Sequence, residues 1–513
     1  MTAATLYRNG RCYSPADPTA AALLVRDGRI AWLGADADAP SADRTVDLDG
    51  ALITPAFVDA HVHTTATGLA LLGLDVSGTP SRAALLDAVA AHAVGLAPDA
   101  VLVGHGWDES TWADQAPPDA AALDRAAGGR RAYLSQASVH SAVVSTALLD
   151  TVPDDAPGYD TSGWLRRDAH HAARAVAFGA LSTGQRRDAQ RATLRRAASL
   201  GIAAIHECAG PGTSGEDDLT ALLALAAEGG RPEVYGYWGE LGAAGKAREL
   251  GAVGAGGDLY ADGALGSRTA HVREPYTDGT HGFGYLTAAQ AADHLVDCVR
   301  HDVQGGFHAI GDAAIGTVLA GFADAAARVG VDRLRAGRHR IEHVELVDRD
   351  GVRGLVEYGV TASMQPAFDR LWGGETAMYA QRLSVARSLA SNPFAALAGV
   401  GVALAFGSDS PVTPLDPWGS VRAAAAHHNP ASRIGVRAAF AAHTRGGWRA
   451  VHRDADGVLA PGAPATFAVW DAPAGLAGGL PALLAAGPDE PAPPLPTCRR
   501  LVLHGRVIWD GSS

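Results

Sequence analysis

The sequence predicts an α/β barrel together with a small sheet domain drawn from both ends of the chain. Three observations carry that expectation. Strand-like runs alternate with Ala-rich helical stretches through the middle of the chain. Most of these runs stop at a residue capable of chemistry. Strand–turn–strand texture opens the chain and returns near its close.

Taken in order, residues 1–54 read as short strands: TLYRNGRCYS, ALLVRDGRIAWLG and RTVDLDGALITP. The RNG and RDG turns between apolar runs are hairpin signals. ATFAVWDAP (465–473) and RRLVLHGRVIWDG (499–511) repeat this texture, so residues 446–513 are expected to pair with 1–54. Barrel strands are expected between 55 and 445. Candidates are ALITPAFVDAHVH, VLVGHGWD, RAYLSQASVH, GIAAIHECAG, GGDLYADGA, VQGGFHAIGD, RHRIEHVEL, GVTASMQP and GVALAFGSDSP. SRAALLDAVAAHAVGL and AAIGTVLAGFADAAARVG read as helices between them. Turn signals crowd the stretch around 75–190, which reads as an insertion or lid. PDEPAPPLP (488–496) reads as a Pro-rich loop.

Composition removes several function classes. The chain has 513 residues, 47% of them hydrophobic, enough for a large core. Its formal charge of −13 comes without a basic run, which argues against nucleic acid as a partner. No charge-free apolar stretch reaches the ~18 residues a membrane span needs, and the N-terminus carries no secretory pattern. The four cysteines (Cys12, Cys208, Cys298, Cys498) form no CxxC pair, as expected of a protein in a reducing cytoplasm. Lys246, in GAAGKAREL, is the only lysine and reads as a solvated residue on an exposed helix.

The chemistry begins at PAFVDAHVHTT (55–65), where His61 and His63 close an apolar strand. Side chains two apart on a strand share a face. At the C-terminal mouth of a barrel strand, two neutral imidazoles at that spacing suit one divalent ion. Three further apolar runs end in His308 (GGFHAIGD), His343 (RIEHVEL) and Asp409 (AFGSDSP). Any one of them alone reads as a hydrogen-bonded structural residue; in this order behind HxH, they read as the rest of a metal site. The pairs His170–His171 and His427–His428 read as surface, because neighbours in sequence do not converge on one ion.

PAFVDAHVH, ADGALGSRTA, FHAIGDAAI, RIEHVEL, SMQP and FGSDSPVTPLDPW resemble the metal-dependent amidohydrolase superfamily, in its amidohydrolase-3 branch, and are similar to N-substituted formamide deformylases. The resemblance spans essentially the whole chain. It implies a distorted (β/α)8 TIM barrel with a small β-sandwich from both termini, and hydrolysis by a metal-activated water. It makes His61 and His63 ligands on the first strand, His308 the ligand on the fifth and His343 the histidine on the sixth. Asp409 becomes the aspartate of the eighth strand, ligand and proton carrier at once. Many relatives bridge two metals with a carboxylated lysine before the ADG motif. Here Asp258 takes that place, so a lysine-bridged pair is not expected and a single Zn(2+) is, with Asp258 available to a second ion. The resemblance also puts Trp107, Asp108, His140, Asp262, Arg268 and Gln365 near the substrate. Each of these has a structural alternative, for instance an Asp262–Arg268 hydrogen bond that only holds a loop. His206–Glu207 is placed on the third or fourth strand, as a partner to the ligands.

The expected activity is hydrolysis of a non-peptide C–N bond, amide or N-formyl, in a small-molecule substrate, with Asp409 and His343 catalytic. One alternative is a mononuclear deaminase of the same superfamily. That chemistry usually needs a glutamate soon after the fifth-strand histidine, where this chain has Asp312. Another is a barrel that binds or regulates without catalysis. A homodimer is the default assembly.

Overall fold

In the computed structural model, the described residues are 3–107, 109, 112–113, 116–136, 141–211, 213–472, 475–485 and 490–511. They fall into two compact units, Thr64–Thr193 and the remainder, Met1–His63 with Leu194–Ser513.

The larger unit is built on an eight-stranded parallel sheet. Its strands, numbered here in sheet order, are Phe57–Val62, Ile202–Ala209, Glu233–Trp238, Gly254–Ala255, Gln304–Ala309, Arg340–His343, Thr361–Met364 and Ala403–Phe406. Strands one and two are buried along their whole length, as expected of a parallel sheet covered on both faces. The sheet closes where the eighth strand meets the first. The Asp409 N–H donates to the His61 carbonyl at 2.8 Å, and the His63 N–H donates to the Ser410 carbonyl at 2.9 Å. This closure needs Gly407, since a Cβ there would lie 2.5 Å from the His61 nitrogen.

Three features differ from the sequence expectation, the first being that GGDLYADGA (256–264) forms no strand beyond the Tyr260 bridge, the fourth barrel strand being Gly254–Ala255 before it. EVYGYW (233–238), absent from the candidate strands, supplies the third barrel strand. Since VLVGHGWD and RAYLSQASVH lie outside the barrel sheet, His206 and Glu207 lie on the second strand, not the third or fourth. VLVGHGWD and RAYLSQASVH do form strands, Leu102–Trp107 and Ala132–Gln136, but in a separate five-stranded sheet within Thr64–Thr193.

The remaining sheets of the larger unit come from the chain ends. Thr5–Arg8, Ala22–Arg26, Arg29–Gly34 and Arg44–Asp47 form a four-stranded sheet. Arg11–Cys12 and Leu52–Pro55 join Phe467–Asp471, Thr497–Leu503 and Arg506–Asp510 in a five-stranded one. Tyr7, Leu23, Ile30, Ile53, Phe467 and Val502 pack in one core, so residues separated by more than 400 positions exclude water from each other. No helix among the described residues is long and apolar enough to cross a membrane.

Candidate metal centre

At the C-terminal end of the barrel the structure brings His61, His63, His308, His343 and Asp409 around Asp258. Asp258 Oδ1 lies 3.5 Å from His61 Nε2, 3.4 Å from His308 Nδ1 and 3.9 Å from His343 Nε2. Its Oδ2 lies 3.1 Å from His63 Nε2. Asp409 Oδ1 is 3.2 Å from His63 Nε2 and 3.5 Å from His61 Nε2.

Local backbone explains why these side chains converge. His61 and His63 share a face through the two-residue period of strand one. Glu342 and His343 are adjacent and would ordinarily point to opposite faces. Left-handed backbone at His343 (φ 72°) and Val344 (φ 51°) breaks the pleat at the end of strand six, and both side chains reach the barrel interior. A β-branched residue in that region is a real outlier, of a kind that clusters at functional sites and costs ~1–3 kcal/mol. Asp409 is left-handed as well (φ 57°). Asp258 arrives by a bulge: strand four stops at Ala255, Gly256 and Gly257 take positive φ, and the chain bridges strand five again at Tyr260–His308. A Cβ on Gly256 would come within 2.4 Å of the Gly306 Cα.

The donor atoms suit a divalent cation. Each imidazole gives one nitrogen to an outer acceptor. His61 Nδ1–H donates to Glu342 Oε2 (2.9 Å) and His63 Nδ1–H to the Cys208 carbonyl (3.1 Å). His308 Nε2–H donates to the Gly263 carbonyl (3.1 Å) and His343 Nδ1–H to Gln365 Oε1 (2.8 Å). These bonds set the tautomers and leave His61 Nε2, His63 Nε2, His308 Nδ1 and His343 Nε2 as the lone-pair nitrogens facing the centre. His61 Nε2, His308 Nδ1, His343 Nε2 and Asp258 Oδ1 are buried without a hydrogen-bond partner among the described residues. Buried polar atoms left so are costly, and four converging on one point fit a divalent cation.

The electrostatics agree. Burial raises the Asp258 carboxyl, but His61, His308, His343 and His63 outweigh it and hold it well below the ordinary value. Burial lowers His63 and His343, yet Asp258 and Asp409 carry His63 well above its ordinary value. His343 is pushed up to about 9, with Glu342 adding to the effect of the two aspartates. All three directions say that the carboxylates stabilise positive charge here, as a divalent cation would supply.

The predicted substrate residues fare differently. Trp107 is fully buried in the core of Thr64–Thr193, where its Nε1–H donates to the Leu134 carbonyl at 2.8 Å. It is a packing residue there, because its ring and its only donor are both used internally. Asp262 and Arg268 do not bond to each other. Buried Asp262 accepts three backbone N–H bonds, from Ile310 (3.0 Å), Gly311 (2.8 Å) and His271 (2.9 Å), which clamp its loop to the end of strand five. Partly exposed Arg268 pairs with Asp278 at 3.1 Å. Gln365 is fully buried, and its Oε1 accepts the His343 Nδ1–H at 2.8 Å. Asp108 and His140 lie outside the described residues. His170 and His427, both expected at the surface, are buried: His170 Nε2 lies 2.7 Å from the Tyr133 hydroxyl, and His427 with His428 contacts Asp369, at 3.3 and 3.0 Å. Lys246 pairs with Glu216 (2.7 Å) and Glu240 (2.8 Å) on helix Ala244–Glu249.

Sequence reasoning gave Asp258 only a minor part, and it missed Arg340, Glu342 and Tyr260. Tyr260 sits at the open side, 41% exposed, its hydroxyl donating to Asp258 Oδ2 at 3.3 Å and its ring 4.8 Å from that of His308. A signal for Arg340 and Glu342 was present: opposite charges two apart, and so on one face, in the fully buried strand RIEH.

The Amidohydrolase family profile matches residues 44–508. Among curated proteins, Protein LONG AFTER FAR-RED 3 of Arabidopsis thaliana is 25% identical over 503 residues, covering 88% of this chain and 85% of that protein. The imidazolonepropionase of Salinispora tropica is 51% identical over 43 residues, so the chain covers just 11% of that relative's length. A crystal structure of an uncharacterized metal-dependent hydrolase from Pyrococcus furiosus superposes with a TM-score of 0.76 at 24% identity, over 91% of this chain and 98% of that one.

Proposed function

Because the chain belongs to the amidohydrolase family, we propose that it is a metal-dependent hydrolase of non-peptide C–N bonds, of the amide or N-formyl type, and that it uses one zinc ion. The observation that supports this best is the set of lone-pair nitrogens left facing Asp258 and Asp409 after every imidazole has bonded outward. Nitrogen and carboxylate donors without thiolate, at the mouth of a barrel, fit a catalytic zinc site.

The ion's ligands would be drawn from His61, His63, His308, His343, Asp258 and Asp409, with one position left to water. A divalent ion there supplies Lewis acidity, which acidifies water to a pKa of ~7 and polarises a carbonyl. Asp409 takes the proton of the attacking water on a carboxylate oxygen and delivers it to the leaving nitrogen. His343 was expected both to ligate and to assist the carbonyl oxygen. Both tasks need Nε2, because Nδ1 is occupied by Gln365. The orphaned Nε2 favours ligation. Asp312, the group a deaminase reading would enlist, accepts the Arg273 backbone N–H at 3.0 Å and is turned to that task, which supports the hydrolase reading.

The test is elemental analysis of the purified protein, then a screen of N-formyl and N-acyl amines with zinc restored. About one equivalent of zinc and release of a carboxylic acid with an amine are expected. Ammonia without acid would indicate a deaminase. A protein that neither holds nor takes up metal would overturn the proposal.

A further inference from the structure

Directly beneath the donor atoms lies a buried ion pair that the hydrolytic reading leaves unused. Arg340 and Glu342 are both fully buried on strand six. The guanidinium donates to both carboxylate oxygens, through Nε to Oε1 (2.5 Å) and through a terminal nitrogen to Oε2 (2.8 Å). It also donates to the Ala60 carbonyl on strand one (2.6 Å), to His206 Nδ1 on strand two (3.0 Å) and to Ser363 Oγ on strand seven (2.8 Å). Its carbon lies 4.5 Å from the ring centre of Tyr237 on strand three. One side chain thus ties together five of the eight strands from inside the barrel. Glu342 Oε2, held by Arg340, in turn accepts the Nδ1–H of His61.

We propose that Arg340 and Glu342 are positioning residues for the metal centre: Glu342 retains the Nδ1 proton of His61 so that Nε2 presents its lone pair to the cation, and Arg340 holds Glu342 in register. Stability alone does not account for the pair. Replacing a buried ion pair with apolar residues of similar volume is often neutral or stabilising, whereas a carboxylate on the outer nitrogen of a ligand histidine typically contributes 10–100-fold in metal affinity. The bidentate contact also needs arginine's planar fork, which lysine does not reproduce. This inference rests on the metal-dependent reading.

The experiment compares the wild-type protein with Glu342→Gln and with the double variant Arg340→Met/Glu342→Leu, which leaves no unpaired charge buried. Folding is checked by circular dichroism and urea unfolding. Metal-free protein is titrated with zinc against a competing chelator. Long-range 15N spectra of the metal-free protein report the His61 tautomer, with His61→Asn to assign the signal. Zinc affinity is expected to fall 10–100-fold in the double variant, and the His61 signal to change from a single Nδ1–H form to a mixture. Glu342→Gln is expected to show a smaller shift in the same direction, and it decides the matter if the double variant does not fold. Unchanged affinity and an unchanged tautomer in folded variants would overturn the inference, leaving the pair only structural. If the wild type takes up no zinc, the hydrolase reading fails, while the tautomer comparison still decides whether Glu342 controls His61.

Discussion

Asp409 and Asp258 are two carboxylates in one cluster with different expected tasks. Asp409 follows strand eight and, among the described residues, pairs only with the strand-one imidazoles, at 3.2 and 3.5 Å. Asp258 reaches all four. Removing Asp258 should therefore weaken the site as a whole: Asp258→Ala is expected to retain less than a tenth of the wild-type zinc after dialysis, by elemental analysis. Asp409→Asn keeps an oxygen donor but loses the proton acceptor. It should hold zinc and lose about 10²–10⁴-fold in kcat. Turnover near wild type in the zinc-loaded Asp409→Asn protein would take this residue out of the mechanism.

Strand one is the element on which the centre depends. Its end carries His61 and runs directly into His63, and its first residue, Phe57, is anchored in the core. The Phe57 ring packs edge-on against Trp418, Phe440, His443 and Trp470, at 5.0–5.7 Å between centroids. Trp470 belongs to a strand of the terminal five-stranded sheet, and its Nε1–H donates to Thr54 Oγ1 at 2.8 Å, just ahead of strand one. The start of the strand is thus gripped by a sheet three of whose five strands come from the far end of the chain. Phe57→Ala should cost about 3–5 kcal/mol through lost burial and a residual cavity. Urea unfolding at neutral pH measures this, and a cost under ~1 kcal/mol would mean the site collapses around the gap.

Across the whole molecule, several histidines are buried in the neutral form. His339 is held down at about 3, chiefly by burial, and its Nδ1 accepts the Gly305 N–H at 2.7 Å. His206, His294 and His443 are also lowered, each with burial the largest cause. In an unfolded chain such groups titrate near ~6.5. Below that pH the unfolded state binds more protons than the native state, so stability falls as pH drops from ~6.5 toward ~3. Glu342, kept well below its usual range because Arg340 and His61 outweigh burial, adds a loss below ~4.5 in the same direction. Urea midpoints measured on metal-free protein should fall from pH ~7 toward ~9, where the raised His63 and His343 lose the protons that the native state favours, and should also decline steadily below pH 6.5. His339→Gln should make that decline shallower, and an equally steep one would show that His339 is not among its causes.

Local pattern determined much of this protein. A two-residue period ending in HxH, and apolar runs that stop at His308, His343 and Asp409, are written in consecutive residues, because a strand's faces and its end depend on near neighbours. The parallel barrel follows from the alternation of strands and helices and the terminal sheets from strand–turn–strand texture, whereas local pattern did not separate the sheet within Thr64–Thr193 from the barrel. Tertiary structure alone decided who meets whom. Asp258 becomes the hub only because a Gly–Gly bulge after a two-residue strand turns it inward. His61 finds Glu342, 281 positions away, only once the sheet has closed. His206 stands on the second strand because Thr64–Thr193 folds around a sheet of its own. Periodicity constrains the direction of a side chain, but the identity of its partner is set by closure of the ring of strands, a contact between segments that no local pattern encodes.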